Sequence, residues 1–144
     1  MIVYLDSSVL VKLYVAEEGT ADVQSIVSEA QALGTSVISR TEVAAALGKA
    51  ARTKILTRPA AAQALSAFVA DWESIIRLQL SESLCVRAAR VAWEKGLRGY
   101  HAVHLATALF WSEELKGDVV VATFDRELWK ASRDTGLLHW PERI

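Results

Sequence analysis

Cysteine is nearly absent: Cys85 is the only one in 144 residues. That excludes a disulfide scaffold and any cysteine-rich zinc site. Two prolines and seven glycines are too few for a fibrous or low-complexity chain. Neither sign of charge dominates. Sixteen Lys and Arg against 17 Asp and Glu give a formal net charge of −1, which is not the basic footprint of a protein that coats a polyanion. Any such contact must be local or helped by a bound cation. No uninterrupted apolar run reaches transmembrane length. The first apolar stretch is interrupted by Asp6 and has no basic segment before it, so a signal peptide is not expected and the cytoplasm is the default compartment. What the chain has in quantity is apolar: 52% of residues are hydrophobic and 23% charged, which excludes a disordered tail. The length suits one domain over residues 1–144, able to bury about 68–70% of its unfolded surface.

The apolar residues fall into short runs that alternate with helical periodicities. Ile2–Leu5 is a short apolar run stopped by Asp6-Ser7-Ser8 and reads as a buried strand. Val9, Leu10, Leu13 and Tyr14 recur at helical spacing up to Glu17-Glu18-Gly19. Thr20 is placed to cap a second helix with an apolar stripe from Val23 to Leu33, closed by Gly34, and Thr35–Ile38 reads as the second strand. Two Ala-rich helices follow, Glu42–Ala51 and Pro59–Trp72, expected to pair as an antiparallel hairpin that can double as a docking surface. Ile75–Leu80 reads as a third strand. Ser81 caps a helix ending at Lys95-Gly96, and another helix covers Tyr100–Leu115. Val119–Thr123 is the clearest strand; Glu127–Asp134 is a short helix and Leu137–Trp140 a fifth strand. Cys85 lies in the helical run Leu84–Ala92, where a buried inert thiol is expected. Continuous apolar strands separated by helices predict a mainly parallel sheet of four to five strands, covered by helices on both faces.

In such sheets ligands bind beyond the carboxyl ends of the strands. Asp6 ends the first strand, Glu42 opens the helix after the second, and Asp125 follows Val119–Thr123, all on one predicted edge. Carboxylates gathered there repel one another unless they hold a cation or protons, and oxygen ligands suit Mg²⁺ or Mn²⁺. Each has a local explanation too. Asp6 and Asp125 can each cap the helix that follows, and Ser39 with Glu42 three residues on has the spacing of a capping box. The second Asp two residues after the first that dehalogenase-type phosphotransfer domains need is Ser8 here, and there is no Gly-rich phosphate loop.

Four segments carry a family resemblance. Val3-Tyr4-Leu5-Asp6-Ser7-Ser8-Val9-Leu10-Val11-Lys12 resembles the opening motif of PIN-domain proteins, and more closely of the ribonuclease toxins of VapBC toxin–antitoxin modules. Ser39–Glu42 is similar to the second acidic motif of that family, Leu97–Ala108 to the third, and Val121-Ala122-Thr123-Phe124-Asp125 to the last. The resemblance covers nearly the whole chain in order. It implies a three-layer α/β/α fold and an Mg²⁺- or Mn²⁺-dependent endoribonuclease. It also implies an RNA substrate, a small antitoxin that holds the enzyme inactive, and a homodimer. Asp6, Glu42 and Asp125 carry over as metal-site acids, and Ser8 and Thr123 as hydroxyls that orient acids or water.

The chain departs from the family where its third acid should stand, because position 101 is His101. An imidazole there removes a negative charge and a hard oxygen ligand, and suits Zn²⁺, Ni²⁺ or Cu²⁺ better than Mg²⁺. The resemblance then implies either a weakened nuclease with His101 among its metal-site residues, or a PIN-like scaffold that binds antitoxin or RNA without cutting. His104 and His139 read as satisfied core histidines. Lys49, Arg52, Lys54 and Arg58 gather at the tip of the Ala-rich hairpin, as a solvated helix end or as phosphate contacts. The tryptophans, at positions 72, 93, 111, 129 and 140, are expected in the core or at a dimer interface.

Overall fold

A computed structural model describes residues 1–144. Five strands form one sheet in the order β3-β2-β1-β4-β5: β1 Ile2–Leu5, β2 Ala32–Ser36, β3 Ile76–Leu78, β4 Val119–Ala122 and β5 Leu138–Trp140. Every pairing is parallel. Seven α-helices connect them: α1 Ser7–Tyr14, α2 Thr20–Glu29, α3 Ser39–Arg52, α4 Arg58–Asp71, α5 Glu82–Lys95, α6 Gly99–Leu115 and α7 Arg126–Asp134. A 3₁₀ turn at Trp72–Ser74 leads into β3.

β1 is the central strand and shows why the strands read as unbroken apolar runs. Val3 and Leu5 enter one core with Val9, Leu10, Val23, Val43, Leu47 and Phe68, from α1 to α4. Tyr4 points the other way, into a second core with Leu84, Ala88, Leu105, Trp111, Val121 and Leu128, from α5 to α7 and β4. Both faces are covered, so alternation along the strand carries no polar side. This is the three-layer α/β/α arrangement expected. α6 is the most enclosed helix, with Ala102, His104, Leu105, Ala106, Thr107, Ala108 and Trp111 all buried.

Local chemistry sets most helix ends. Asp6, Thr57, Ser81 and Asp125 each accept a backbone N–H in the first turn of the helix that follows. Pro59 sits in the first turn of α4, and Gly96 ends α5 with φ +66°. α3 and α4 pack on each other across residues 53–57, and Lys49, Arg52, Lys54 and Arg58 around that turn are exposed.

Several expectations are corrected. Gly34 does not close a helix. α2 ends at Glu29, and Gly34 lies within β2, which runs Ala32–Ser36 rather than Thr35–Ile38. The glycine is needed there because a Cβ would come within 2.4 Å of the Trp111 ring. Thr20 is the first residue of α2, not its cap; Gly19 at φ +86° precedes it, and the Thr20 hydroxyl accepts from the Glu17 N–H instead. The first helix stops at Tyr14. The third strand is shorter than expected, Ile76–Leu78. Cys85 is exposed, not buried, because the stripe of α5 that enters the core is Leu84, Ala88 and Val91. Of the tryptophans, Trp72 and Trp111 are in the core, while Trp93 is 90% exposed.

Candidate active site

The strand order reverses direction at the β1/β4 pair, and the residues beyond the carboxyl ends of those two strands meet. Asp6 follows β1 and is almost fully buried, 3% exposed. Its Oδ2 accepts from the Ser8 hydroxyl at 2.7 Å and from the Thr123 hydroxyl at 2.9 Å. The same two hydroxyls accept backbone N–H groups beyond β4: Ser8 Oγ from Phe124 at 3.0 Å, and Thr123 Oγ1 from Asp125 at 3.0 Å. Ser8 and Thr123 thus tie the chain after β1 to the chain after β4 through the Asp6 carboxylate.

Glu42 is placed by α3, and not as a capping residue. α3 begins at Ser39 after Ile38 with no side-chain cap, and the Ser39 hydroxyl is buried against Thr35 Oγ1 at 2.7 Å. Glu42 is free to reach α6, where its Oε1 lies 2.6 Å from His104 Nε2. That same nitrogen is 3.4 Å from Asp6 Oδ1, and His104 Nδ1 is 2.8 Å from the Tyr4 hydroxyl. His104 is the buried, satisfied histidine expected, but its partners are the candidate site acids. The imidazole therefore belongs to the site, a role that sequence reading missed.

The charges in this buried group support one another. Burial pushes the His104 pKa down, but the hydrogen bond it donates to Glu42 and the charges of Asp6 and Glu42 outweigh it, so the net shift is upward. Burial pushes Asp6 up, and the His104 charge with the hydrogen bonds from Ser8, Thr123 and Ser7 outweighs that, so Asp6 is lowered. An imidazolium between two carboxylates is the arrangement these shifts describe. Burial, with the nearby Asp6 charge, raises Tyr4 well above its ordinary range, which keeps it a neutral phenol.

The remaining residues form a second, more open group. Asp125 caps α7 with Oδ1, accepting from Leu128 N–H at 2.9 Å, which leaves Oδ2 facing His101 Nε2 at 3.3 Å. The other imidazole nitrogen of His101 is 3.5 Å from Glu127 Oε2; it is buried and has no hydrogen-bond partner. His101, Asp125 and Glu127 offer ligand atoms that all lie within 4.8 Å of one another. Neither Asp6 nor Glu42 joins that group. Glu127, in the first turn of α7, was missed in the sequence because nothing in its own segment distinguishes it from an ordinary acidic first-turn residue.

The donor set fits a divalent cation, but not an all-oxygen one. Both oxygens of Asp6 and one of Glu42 already receive donors, and the outward-facing group contains an imidazole. Mg²⁺ prefers six hard oxygen ligands and seldom takes histidine.

A parallel 3-2-1-4-5 sheet with acids gathered past β1 and β4 is the architecture of a PIN domain, and the chain belongs to that family: the PIN domain profile matches residues 3–133. It is 33% identical over 145 residues to Ribonuclease VapC45 of Mycobacterium tuberculosis (strain CDC 1551 / Oshkosh), a match covering 99% of this chain and 97% of the relative. The figures for Ribonuclease VapC49 of Mycobacterium tuberculosis (strain ATCC 25618 / H37Rv) are the same. Among solved structures, PAE2754 from Pyrobaculum aerophilum shares the fold with a TM-score of 0.65 at 24% identity, over 96% of this chain and 83% of that one. VapBC2 from Rickettsia felis, solved bound to a DNA fragment from its promoter, gives 0.64 at 13% identity, over 96% and 97%.

Proposed function

We propose that this protein is an endoribonuclease toxin that hydrolyses RNA phosphodiester bonds with a bound divalent cation and is held inactive by a small antitoxin protein. The observation that carries this reading is the junction of Asp6 and Asp125 through Thr123 at the β1/β4 reversal, in a chain one-third identical to curated ribonucleases of the same family. Family resemblance points to Mg²⁺ or Mn²⁺. A bound cation supplies neutralisation of phosphate charge and a water of lowered pKa.

The protein's own groups do the rest. Asp125 and His101, half-buried at the mouth, face the incoming phosphodiester, and Asp125 Oδ2 accepts a proton from, or orients, the attacking water. Asp6, locked by Ser8 and Thr123, and Glu42, locked by His104, fix the negative potential behind them. A chain of net charge −1 with acids at its mouth meets RNA through a cation and through the exposed Lys49, Arg52, Lys54 and Arg58 at the α3–α4 turn. His101 in place of a carboxylate weakens Mg²⁺-supported cleavage. The exposed Val86, Trp93, Tyr100 and Phe110 of α5 and α6 support self-association. No helix is long and apolar enough to cross a membrane, and the cytoplasm, where RNA and a co-expressed antitoxin are met, is the proposed compartment.

The second reading, a scaffold that binds antitoxin or RNA without cutting, is favoured by one observation: His104 already balances one of the two negative charges of Asp6 and Glu42. Incubating purified protein and its Asp6→Ala variant with a defined RNA, with Mg²⁺ and with Mn²⁺, decides between them. Cleavage lost in Asp6→Ala supports the nuclease. RNA binding without cleavage under any cation establishes the scaffold. Mass spectrometry of a small protein that co-purifies tests the antitoxin.

A further inference from the structure

We propose that His101, Asp125 and Glu127 bind a borderline transition dication of the Zn²⁺ type in preference to Mg²⁺, through one imidazole nitrogen and one oxygen from each carboxylate. The proposal deepens the nuclease reading by naming the cation that its open mouth selects.

The three side chains come from two elements whose positions the fold sets independently. His101 stands in the first turn of α6, and Asp125 and Glu127 stand at the start of α7. Their ligand atoms converge within 4.8 Å. A Zn²⁺-type ion, with bonds of about 2.0–2.1 Å in tetrahedral array, needs its ligands roughly 3.4 Å apart. The His101–Asp125 and His101–Glu127 separations are 3.3 and 3.5 Å. Those two contacts use opposite ring nitrogens, so one carboxylate must shift to share a single nitrogen. Asp125 is fixed by its bond to Leu128 N–H. Glu127 is exposed, and the charged partner nearest to it besides His101 is Arg98 at 3.7 Å, itself exposed. Glu127 is the residue free to move.

A plain ion pair does not account for the group equally well. A charge-assisted N–H···O bond runs about 2.7–2.9 Å, and His104 makes one with Glu42 at 2.6 Å a single helical turn away. His101 instead stands back from both acids at longer range, and its buried Nδ1 has no hydrogen bond at all. A buried polar atom without a partner is an exception in folded proteins, so the ring is not held here as a donor satisfied by the two acids. The contrast with the inner acids points the same way. Both Asp6 oxygens and one Glu42 oxygen are occupied by hydroxyls and His104, whereas the Asp125 and Glu127 side chains remain 32% and 51% exposed, open to a hydrated ion. Imidazole suits Zn²⁺ whereas carboxylate and water oxygens suit Mg²⁺ and Mn²⁺, so a mixed nitrogen–oxygen set favours Zn²⁺.

The test is calorimetric titration of the chelator-treated, dialysed full chain with Zn²⁺, Mn²⁺ and Mg²⁺, together with His101→Asp and Glu127→Gln variants checked for folding by circular dichroism. NMR of the imidazole resonances during Mn²⁺ addition identifies the ligand. The expected result is one Zn²⁺ site at least a hundredfold tighter than Mg²⁺, with the His101 resonance the first to broaden under Mn²⁺. His101→Asp lowers Zn²⁺ affinity at least tenfold and raises Mg²⁺ affinity; Glu127→Gln lowers Zn²⁺ affinity about tenfold. Equal Zn²⁺ affinity in all three proteins, or broadening of His139 before His101, overturns the proposal. RNA cleavage on the same samples separates it from the nuclease reading. A Zn²⁺ site without cleavage under any ion sustains this inference and overturns that reading. Mg²⁺-supported cleavage with no Zn²⁺ site does the reverse.

Discussion

His104 Nε2 lies 2.6 Å from Glu42 Oε1, and the imidazole that makes this contact is completely buried. Residues from α3 and α6, on opposite sides of the sheet, are thereby joined beyond its edge, with Asp6 from β1 as the third member. Removing the imidazole leaves two acids facing each other without their counter-charge, and the Tyr4 hydroxyl without its 2.8 Å partner. His104→Ala is expected to lower unfolding free energy by about 3 kcal/mol or more, and Tyr4→Phe by about 1 kcal/mol. Urea unfolding of both variants checks the ranking. A His104→Ala protein as stable as the parent would show that the contact does not exist in solution.

The same group gives stability a pH dependence in chelator-treated protein. His104 is raised in the folded state, so its contribution is complete below about pH 6.5 and is lost as pH rises through the folded value. Asp6 is lowered, so its contribution is complete above about pH 4 and is lost as pH falls through the folded value. The contact should therefore stabilise most between about pH 4 and 6.5. Urea midpoints measured across pH should decline on the alkaline side in the parent and stay flat there in His104→Gln. An unchanged alkaline decline in that variant assigns the effect to another group.

Gly34→Ala tests the close approach of β2 to α6. An added Cβ meets the Trp111 ring at 2.4 Å, a contact no rotamer of alanine avoids. Overpacking of this kind costs about 1–3 kcal/mol, visible as a lower urea midpoint. Trp111→Leu in the same background should recover part of the loss, since it removes the ring the methyl meets.

Asp125→Asn separates the two oxygens of one side chain. Asparagine caps a helix about as well as aspartate, so the bond from Leu128 N–H survives and stability should change by less than about 0.5 kcal/mol. The negative charge facing His101 is lost, and cleavage of RNA should fall about a hundredfold or more. A destabilised variant would mean that the carboxylate charge, and not the cap, holds the start of α7.

These contrasts show which features were legible beforehand. Asp6 and Asp125 were readable because each directly follows a strand, and strand ends share an edge in a parallel sheet. Their capping roles were equally readable, and the structure shows both caps. Gly34 misled because glycine after an apolar stripe has the same pattern as a helix stop, and the reason for it here, Trp111, lies 77 positions away (111 − 34) on another element. Glu42 misled similarly, since Ser39 three residues before it copies a capping box while Thr35 takes the hydroxyl. Cys85 could have been placed: Leu84, Ala88 and Val91 define the buried stripe of α5, and the next residue after Leu84 turns away from it. Glu127 and the partners of His104 were not readable at all, because they depend on helices meeting across more than twenty positions of chain.

Thr123 donates to Asp6 and accepts from the Asp125 backbone, so a single hydroxyl stitches together parts of the chain more than a hundred positions apart. β4 must be inserted beside β1 before either bond can form. During synthesis the first three strands, and the helices through α4, emerge and can begin to pack while Asp6 still has neither Thr123 nor His104. The junction beyond β1 and β4 is thus among the last parts of the fold to be completed, with only α7 and β5 still to follow. The core shared by α1 to α4 can therefore gather most of its members before the junction that closes it exists.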